Sequence, residues 1–302
     1  MDTIIQILAR ELGRSEAHVE NVVRLIDEGT TIPFIARYRK ELHGAMDDTA
    51  LRTLADRLQY LRNLDKRREE VKSAIEGQGK LTEELSAAID AAATLAEVED
   101  LYRPYKQKRR TRATVAREKG LEPLAELLFA QAADGPAPEE AAGAFIDPEK
   151  GVETAEDALQ GASDIVAETV SDDAAVRKAL RSLMQRQSVL RTQAAKGKEE
   201  ETSVYQLYYD FRQPVPRLQG HQILAVNRGE REGFLKVTLE MDRDQALICV
   251  RRCVLVPGGG AAAFLRAACE DAYDRLIAPA WSVSCAPRSR SRPTREPSAI
   301  LL

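Results

Sequence analysis

A basic stretch between Arg103 and Lys119 carries the residues whose types and spacing most favour a chemical role. It contains eight Lys and Arg residues against one Glu, and Tyr102 and Tyr105 lie at its start. Cationic side chains that neutralise phosphates release counterions, and aromatic rings stack on bases. This composition therefore suits contact with a nucleic-acid backbone. The candidate phosphate-binding residues, five within seven positions, are Lys106, Lys108, Arg109, Arg110 and Arg112.

The same stretch has a second interpretation that involves no ligand. A basic loop can simply be solvated, or its cations can pair with nearby acidic helices, such as LAEVED at residues 95–100. Basic runs are frequent false-positive signals for nucleic-acid binding, so composition alone favours neither interpretation. The formal net charge of −4 does not decide either, because the field near a phosphate is set within about 8 Å at physiological salt.

Residue types that support catalysis, metal binding or cofactor binding are sparse. The three histidines, at positions 18, 43 and 221, are too scattered to predict a catalytic triad. The four cysteines have no CxxC spacing, so we expect no zinc site. The glycines at 258–260 precede no Lys-Ser or Lys-Thr and indicate a turn rather than a phosphate-binding loop. We therefore expect no enzymatic activity, metal, cofactor or small-molecule substrate.

Length and composition favour a cytoplasmic protein with a buried core. The chain has 302 residues, of which 44% are hydrophobic, enough for two domains. It has no run of about 18 apolar residues. Charged residues at Asp2, Arg10 and Glu11 interrupt the segment where a signal peptide would be continuously apolar. We expect no membrane partner.

Helical patterns dominate the first two thirds of the chain and frame the basic stretch. Leucines from Leu51 to Leu64 recur at helical spacing and predict a helix of about 28 residues that ends near Gly77. A further helix is expected over 95–102. Pro104 then favours extended backbone where the cations begin. Thr111 is a suitable N-cap for the helix that follows.

The pattern changes near Val204, and the fold class predicted is mainly α. Helices are expected over about 153–170, 173–191 and 221–229, with a last helix ending at Pro279. Strands are expected in FLKVTLEM and over 246–256, which gives a small β element near 234–256. We predict a helical domain over 1–191, a polar linker over 192–203, a mixed α/β segment over 204–280 and a disordered tail over 281–302.

Three phrases, in order, give the chain a family resemblance. They are TIPFIARYRKE (31–41), EDLYRPYKQKRRTRATVAREKGLEPLA (99–125) and GHQILAVNRGEREGFLKV (220–237). With them, about residues 1–280 resemble the N-terminal part of the bacterial Tex family of RNA-binding transcription accessory proteins. The resemblance implies an elongated helical scaffold with a helix-turn-helix-like portion, nucleic-acid binding and a role in transcription.

The chain departs from the family pattern in its last residues. Family members continue into YqgF-type, helix-hairpin-helix and OB-fold domains, and the OB fold is their main nucleic-acid-binding unit. Here the pattern gives way to a tail rich in Ser, Arg and Pro over 281–302, a composition that cannot bury a core. Our hypothesis is that this tail is read in a shifted frame and that the chain is a truncated Tex. His43 also replaces a small hydroxyl residue.

Two functions follow as expectations. The first is a transcription accessory fragment that contacts the RNA or DNA backbone weakly through the five cations, with the transcription machinery as a further partner. Five phosphate contacts on duplex DNA give a salt slope near −4 to −5. The alternative is a protein–protein interaction scaffold whose acidic helices bind a partner and whose cations pair internally.

Overall fold

A computed structural model describes residues 3–107 and 109–279. The chain forms two compact units, one that ends at Val98 and one that begins at Glu99. The fold is mainly α with a small antiparallel sheet, which confirms the predicted fold class. The tail predicted over 281–302 lies outside the described residues. Among the described helices, none is both long and apolar enough to cross a bilayer.

The first unit is a helical bundle around one apolar core. Thr3 caps its first helix and Ser15 its second, each accepting a hydrogen bond from a backbone N–H three residues on. Leu8, Val19, Val22, Ile35 and Leu51 are among its fully buried side chains. The helices are α1 (Ile4–Leu12), α2 (Glu16–Asp27), α3 (Ile32–Tyr38), α4 (Asp48–Glu76) and α5 (Glu83–Ala91), and the boundary at Val98 falls within the next helix, α6 (Leu95–Tyr102).

The long helix α4 confirms the leucine pattern. It has 29 residues, close to the 28 predicted, and Asp47 caps it by accepting from the Ala50 N–H at 2.7 Å. Leu51, Leu54, Leu58 and Leu61 are buried against α1, α2 and α3. A stripe at spacings of three and four residues covers one side of a helix, so α4 supplies one wall of the core and leaves its charged side in solvent.

The second unit packs a set of helices around α10. Small and β-branched residues, Ala158, Ala162, Ile165, Val166 and Val170, bury the apolar side of that helix. The helices of this unit are α7 (Arg112–Glu118), α8 (Glu122–Phe129), α9 (Pro138–Gly143), α10 (Ala155–Asp172), α11 (Ala174–Gln187), α12 (Gly220–Arg231), α13 (Arg243–Val254) and α14 (Ala262–Asp271), the last continuing into a π-helical turn over Ala272–Ile277.

The same unit carries a three-stranded antiparallel sheet with its own small core. The strands are β1 (Val189–Ala194), β2 (Asp210–Pro214) and β3 (Leu235–Glu240), in the order β2-β1-β3. Residue Leu190 of β1 faces Gln213 and Leu239 in the register. The helix α12 contacts the sheet through Gly229, because a Cβ there would lie 2.6 Å from Leu235 Cδ1.

One predicted element was of the wrong type, and two predicted helices are present with different ends. The strand expected over 246–256 is α13, because Asp242 caps a helix by accepting from the Gln245 N–H at 3.0 Å and Ala246, Leu247 and Val250 bury at helical spacing. The helix expected over 173–191 ends at Gln187, where β1 follows almost at once. The helix expected to close at Gly229 continues to Arg231. The strand predicted in FLKVTLEM is confirmed as β3.

The predicted domain boundaries remain predictions, with one structural observation beside them. The first three residues of the polar linker predicted over 192–203 lie in β1, which is the central strand of the sheet. Polar strands of this kind are hard to recognise because Arg191, Thr192 and Gln193 break the apolar alternation.

Candidate nucleic-acid interface

The basic stretch begins in the connection between α6 and α7 and continues through α7. Helix α6 ends at Tyr102, a 3-10 turn spans Arg103–Tyr105, and α7 begins at Arg112. Thr111 is the N-cap of α7, as predicted, and its Oγ1 accepts from the Thr114 N–H at 3.1 Å. The described cations before Thr111 therefore lie on a short connection between two helix termini, whereas Arg112 and Arg117 lie in α7.

A column of three carboxylates on α10 binds guanidinium groups. Asp164, Glu168 and Asp172 recur every four residues, so they lie on one side of the helix, and all three are buried. Each carboxylate forms an ion pair with an arginine from elsewhere in the chain: Asp164 with Arg275 at 2.9 Å, Glu168 with Arg117 at 2.8 Å and Asp172 with Arg103 at 3.0 Å. Arg103 and Arg117 lie near the two ends of the basic stretch.

Glu168 is the centre of this arrangement. It accepts a hydrogen bond from Thr111 Oγ1 at 3.0 Å as well as from Arg117. Burial lowers the pKa of Arg117, but the hydrogen bonds and charges of Glu168 and Glu122 outweigh that effect and raise the pKa above its ordinary value. Both ends of α7 are thus tied to α10, one through the N-cap and one through a guanidinium.

A second buried ion pair holds the other end of the stretch. Arg177 of α11 donates to Asp100 Oδ1 at 2.8 Å, Arg181 binds the second oxygen of the same carboxylate, and Arg177 Nη1 donates to the Ser171 carbonyl at 3.0 Å. Burial lowers the pKa of Arg177 to about 10, and the nearby charge of Arg103 acts in the same direction. The guanidinium still carries its charge at neutral pH, so Asp100 is fully paired.

The five predicted phosphate-binding residues fall into three groups. Lys106 and Arg110 are exposed but paired: Lys106 binds Glu99 and lies 5.4 Å from the centre of the Tyr102 ring, and Arg110 binds Glu118 at 2.7 Å. Arg109 and Arg112 are exposed, and neither forms an ion pair within residues 3–107 and 109–279. Lys108 lies outside the described residues.

The exposed cations that form ion pairs are held only weakly by their carboxylates. The Arg110 side chain is 70% exposed, and an ion pair of that kind contributes only about 0–1 kcal/mol. Tyr102 and Tyr105 are half-buried rather than open rings. Among the described members of the five, Arg109 and Arg112 therefore carry the charge that no carboxylate compensates, and the phosphate-binding role of all five stays a prediction.

Sequence reasoning missed the acidic column that anchors the stretch. Charged residues on amphipathic helices are usually solvated, yet Glu168 has only 11% of its side chain exposed. The sequence contains a local signal for this column. Asp164, Glu168 and Asp172 recur every four residues among the apolar residues on the buried side of α10. No cluster of His, Cys, Asp and Glu suited to a metal ion occurs in the described ranges.

Comparisons with known proteins agree with the resemblance. The model of the Tex-like protein N-terminal domain matches residues 2–76, and the model of the Tex central region-like domain matches residues 134–273. The basic stretch lies between these two ranges. It is covered by neither model.

Named relatives align over most of this chain. The uncharacterized protein YdcI of Bacillus subtilis is 42% identical over 277 residues, which is 91% of this chain and 38% of the relative. The transcriptional accessory protein Tex of Neisseria gonorrhoeae is 42% identical over 245 residues, 81% of this chain and 32% of the relative. The human S1 RNA-binding domain-containing protein 1 is 30% identical over 246 residues, 79% of this chain and 24% of the relative.

The chain thus spans about a third of the length of the bacterial relatives it matches, and less of the human one. The two family models describe consecutive regions of the same kind of protein, and together they cover most of the residues in this chain. With relatives of that name at 42% identity, the chain belongs to the Tex family.

Proposed function

We propose that this chain is a nucleic-acid-binding module of a transcription accessory protein, and that the loop around Arg109 and Arg112 contacts the phosphate backbone weakly. The observation that carries the proposal is the exposure of these two arginines, Arg109 before the Thr111 cap and Arg112 at the start of α7, without an ion pair in the described residues. The names of relatives, one a transcriptional accessory protein and one an S1 RNA-binding domain-containing protein, support it.

The anchoring of the loop favours binding. A ligand that orders a flexible segment loses about 1–2 kcal/mol of free energy for each residue whose backbone it fixes. Here the Arg103–Asp172 and Arg117–Glu168 pairs already fix the ends, and the Thr111 cap fixes the start of α7. Phosphate contact at Arg112, next to the Thr111 cap, therefore requires little further ordering of the backbone.

The number of contacts sets how weak the binding is. Arg109 and Arg112 provide two contacts, and phosphate can also displace the exposed carboxylates of Glu99 and Glu118 from Lys106 and Arg110 at a small cost. Two to four contacts give a salt slope of about −2 to −4 on duplex DNA and about −1 to −3 on single strands. Lys108, outside the described residues, is the fifth candidate, and a contact there would bring the slope on duplex DNA to the −4 to −5 expected for five contacts.

The experiment is fluorescence-anisotropy binding of single-stranded RNA and duplex DNA across a salt series. The test variant is Arg109→Gln with Arg112→Gln. The matched control is Arg231→Gln with Arg266→Gln, which removes the same charge from two other exposed arginines of the second unit. We expect the test variant to lower both affinity and salt slope, and the control to keep both. Equal binding by the two variants would contradict the proposal.

The internal ion pairs favour the second candidate function, an interaction scaffold. Four cations of the stretch, Arg103, Lys106, Arg110 and Arg117, bind carboxylates of this same chain. If the stretch serves only to hold the fold together, the unmodified chain binds neither nucleic acid at low salt. Removal of Arg103 or Arg117 then lowers stability without a change in any binding property.

The remaining expectations are part of the same proposal. It assigns the chain no catalytic step, cofactor or small-molecule substrate. It also places the chain in the cytoplasm, with the transcription machinery as a further partner and a helix-turn-helix-like portion in its helical region. Copurification with RNA polymerase from cell extract, compared with the Arg109 and Arg112 variant, tests whether the loop contributes to that association.

A further inference from the structure

Helix α3 of the first unit presents two aromatic rings to solvent. Phe34 is 43% exposed and Tyr38 is 59% exposed. They are four residues apart and so lie on the same side of the helix, with ring centres 4.9 Å apart and ring planes at 47°. Large exposed apolar groups that lie together mark interaction sites more often than single ones do.

The exposure of these rings follows from how α3 is fixed. Ile35 is fully buried in the core of the unit, and Ile32 and Ala36 pack partly against the same core. Ile32, Ile35 and Ala36 occupy the inward side of the helix. Phe34 and Tyr38, at positions i and i+4, share a different side, and that side points outward. A small rotation of the helix cannot cover the rings without exposing Ile35.

Three cations lie close to the two rings in sequence. Arg37, Arg39 and Lys40 are all exposed, and the guanidinium carbon of Arg39 lies 5.6 Å from the centre of the Phe34 ring. In the part of the chain that the structure describes, Arg37 and Lys40 form no ion pair. Glu41 is the sole acidic residue in the segment 31–41. The surface around the rings therefore has a positive charge that its own neighbours do not neutralise.

We propose that these five residues, Phe34, Arg37, Tyr38, Arg39 and Lys40, form a platform that stacks unpaired bases of a single-stranded nucleic acid. Aromatic rings supply a stacking surface for any base, and adjacent cations contact the phosphates between bases. The angle of 47° prevents one flat base from lying on both rings. The platform therefore stacks one base on each ring, and Tyr38, the more exposed ring, makes the larger contact.

The chemistry of the platform favours a single strand over other partners. In a duplex the base faces are already stacked on one another, so a duplex offers the rings nothing to cover. A protein partner would use the rings as apolar anchors, but it would also have to neutralise three cations crowded beside them. This inference does not depend on the loop at Arg109 and Arg112, which belongs to the other unit.

The test compares ring removal with ring exchange in the intact chain. The removal variant is Phe34→Leu with Tyr38→Leu, and the matched control is Phe34→Tyr with Tyr38→Phe, which keeps both rings in place. The probes are fluorescein-labelled oligo(U) and a duplex of the same length. We expect the removal variant to bind oligo(U) about tenfold more weakly or worse, the free-energy equivalent of one lost stacking contact. We expect the control to bind oligo(U) like the original chain.

Two further measurements make the result specific to the platform. Photo-crosslinking to 5-bromouridine in the oligo(U), mapped by mass spectrometry, is expected at Phe34 or Tyr38. The Arg109 and Arg112 variant of the loop is expected to keep this crosslink, which separates the platform from the loop. Thermal unfolding within about 2 °C of the original chain shows that the ring-removal variant is folded, as expected for changes at exposed positions.

Three results would overturn the proposal. The first is unchanged oligo(U) binding by the ring-removal variant. The second is equal loss in the ring-exchange control, because that control retains both stacking surfaces. The third is unchanged oligo(U) binding together with lost binding to purified RNA polymerase, which would make the platform a protein-docking surface.

Discussion

Replacing Glu168 by Gln should destabilise the second unit far more than the same change at Glu122. Both carboxylates bind Arg117, Glu168 at 2.8 Å and Glu122 at 3.1 Å. Their exposure differs, since 11% of the Glu168 side chain and 52% of the Glu122 side chain is accessible. The two variants therefore remove the same type of group from the same partner in two different environments.

The loss of stability expected for each variant follows from how deeply its carboxylate is buried. A buried hydrogen bond to a charged group contributes about 1.5–3 kcal/mol, and an exposed ion pair about 0–1 kcal/mol. Gln at position 168 can keep both contacts, its oxygen accepting from Arg117 and its NH2 donating to Thr111, but it removes the charge that pairs with Arg117. We expect Glu168→Gln to cost about 2 kcal/mol and Glu122→Gln less than about 1 kcal/mol.

Two measurements check this difference. Thermal unfolding followed by circular dichroism should show a decrease of about 4–8 °C for Glu168→Gln, for a unit of this size. Hydrogen exchange resolved by mass spectrometry should show faster exchange of the α7 amides, because both ends of α7 bind Glu168. Equal effects of the two variants on melting and exchange would refute the view that the buried column anchors the basic stretch.

Three further predictions test the packing, the titration and the loop. Gly229→Ala should lower stability by about 1–2 kcal/mol, because a Cβ there meets side-chain atoms at 2.6–3.0 Å. The control, Gly143→Ala, has nothing within 4 Å of its new Cβ and should be neutral or slightly stabilising. Chemical denaturation measures both variants, and equal effects would contradict the packing argument. Burial raises the pKa of the Cys269 thiol from 9.0 to about 11. The contribution of the neutral thiol to the free energy of unfolding is therefore fully present below pH 9 and is lost as pH rises through about 11. Unfolding free energy should therefore fall by about 2–3 kcal/mol more in the original chain than in Cys269→Ala over that range, and parallel pH profiles would exclude the thiol as the cause. Arg109→Gln with Arg112→Gln should change the free energy of unfolding by less than about 0.5 kcal/mol, since neither side chain has an ion pair in the described residues. Denaturant unfolding measures this change, and a larger loss would mean that these arginines support the fold.

The elements that sequence predicts well are those whose pattern is local and long. The leucines of α4 repeat over many turns, and the Thr111 cap is set by residues within one turn of it. The failures occur where a short apolar run fits two structures. The run from Ala246 contains β-branched residues and cysteines typical of a strand, yet the Asp242 cap and the burial of Val250 make it a helix.

The candidate site is predictable in its composition but not in its pairing. The density of cations around Arg109 is visible in the sequence, and so is the loop that carries them. The partners of Arg103 and Arg117 lie 69 and 51 residues away on α10. No local spacing connects these positions, so only the tertiary structure separates anchoring cations from free ones.

This separation explains how an acidic chain can gather so many cations in one stretch. Arg103 and Arg117 meet carboxylates that are themselves buried, and such a carboxylate without its partner would be strongly destabilising. Part of the positive charge is therefore required by acidic residues elsewhere in the fold, and the net charge of −4 already includes both members of each pair. The charge left for a ligand is that of the loop between the two anchors. A nucleic acid that binds there would meet Arg112 at the start of α7, a helix that Thr111 and Arg117 tie to Glu168, so loss of the Arg117 anchor should weaken binding.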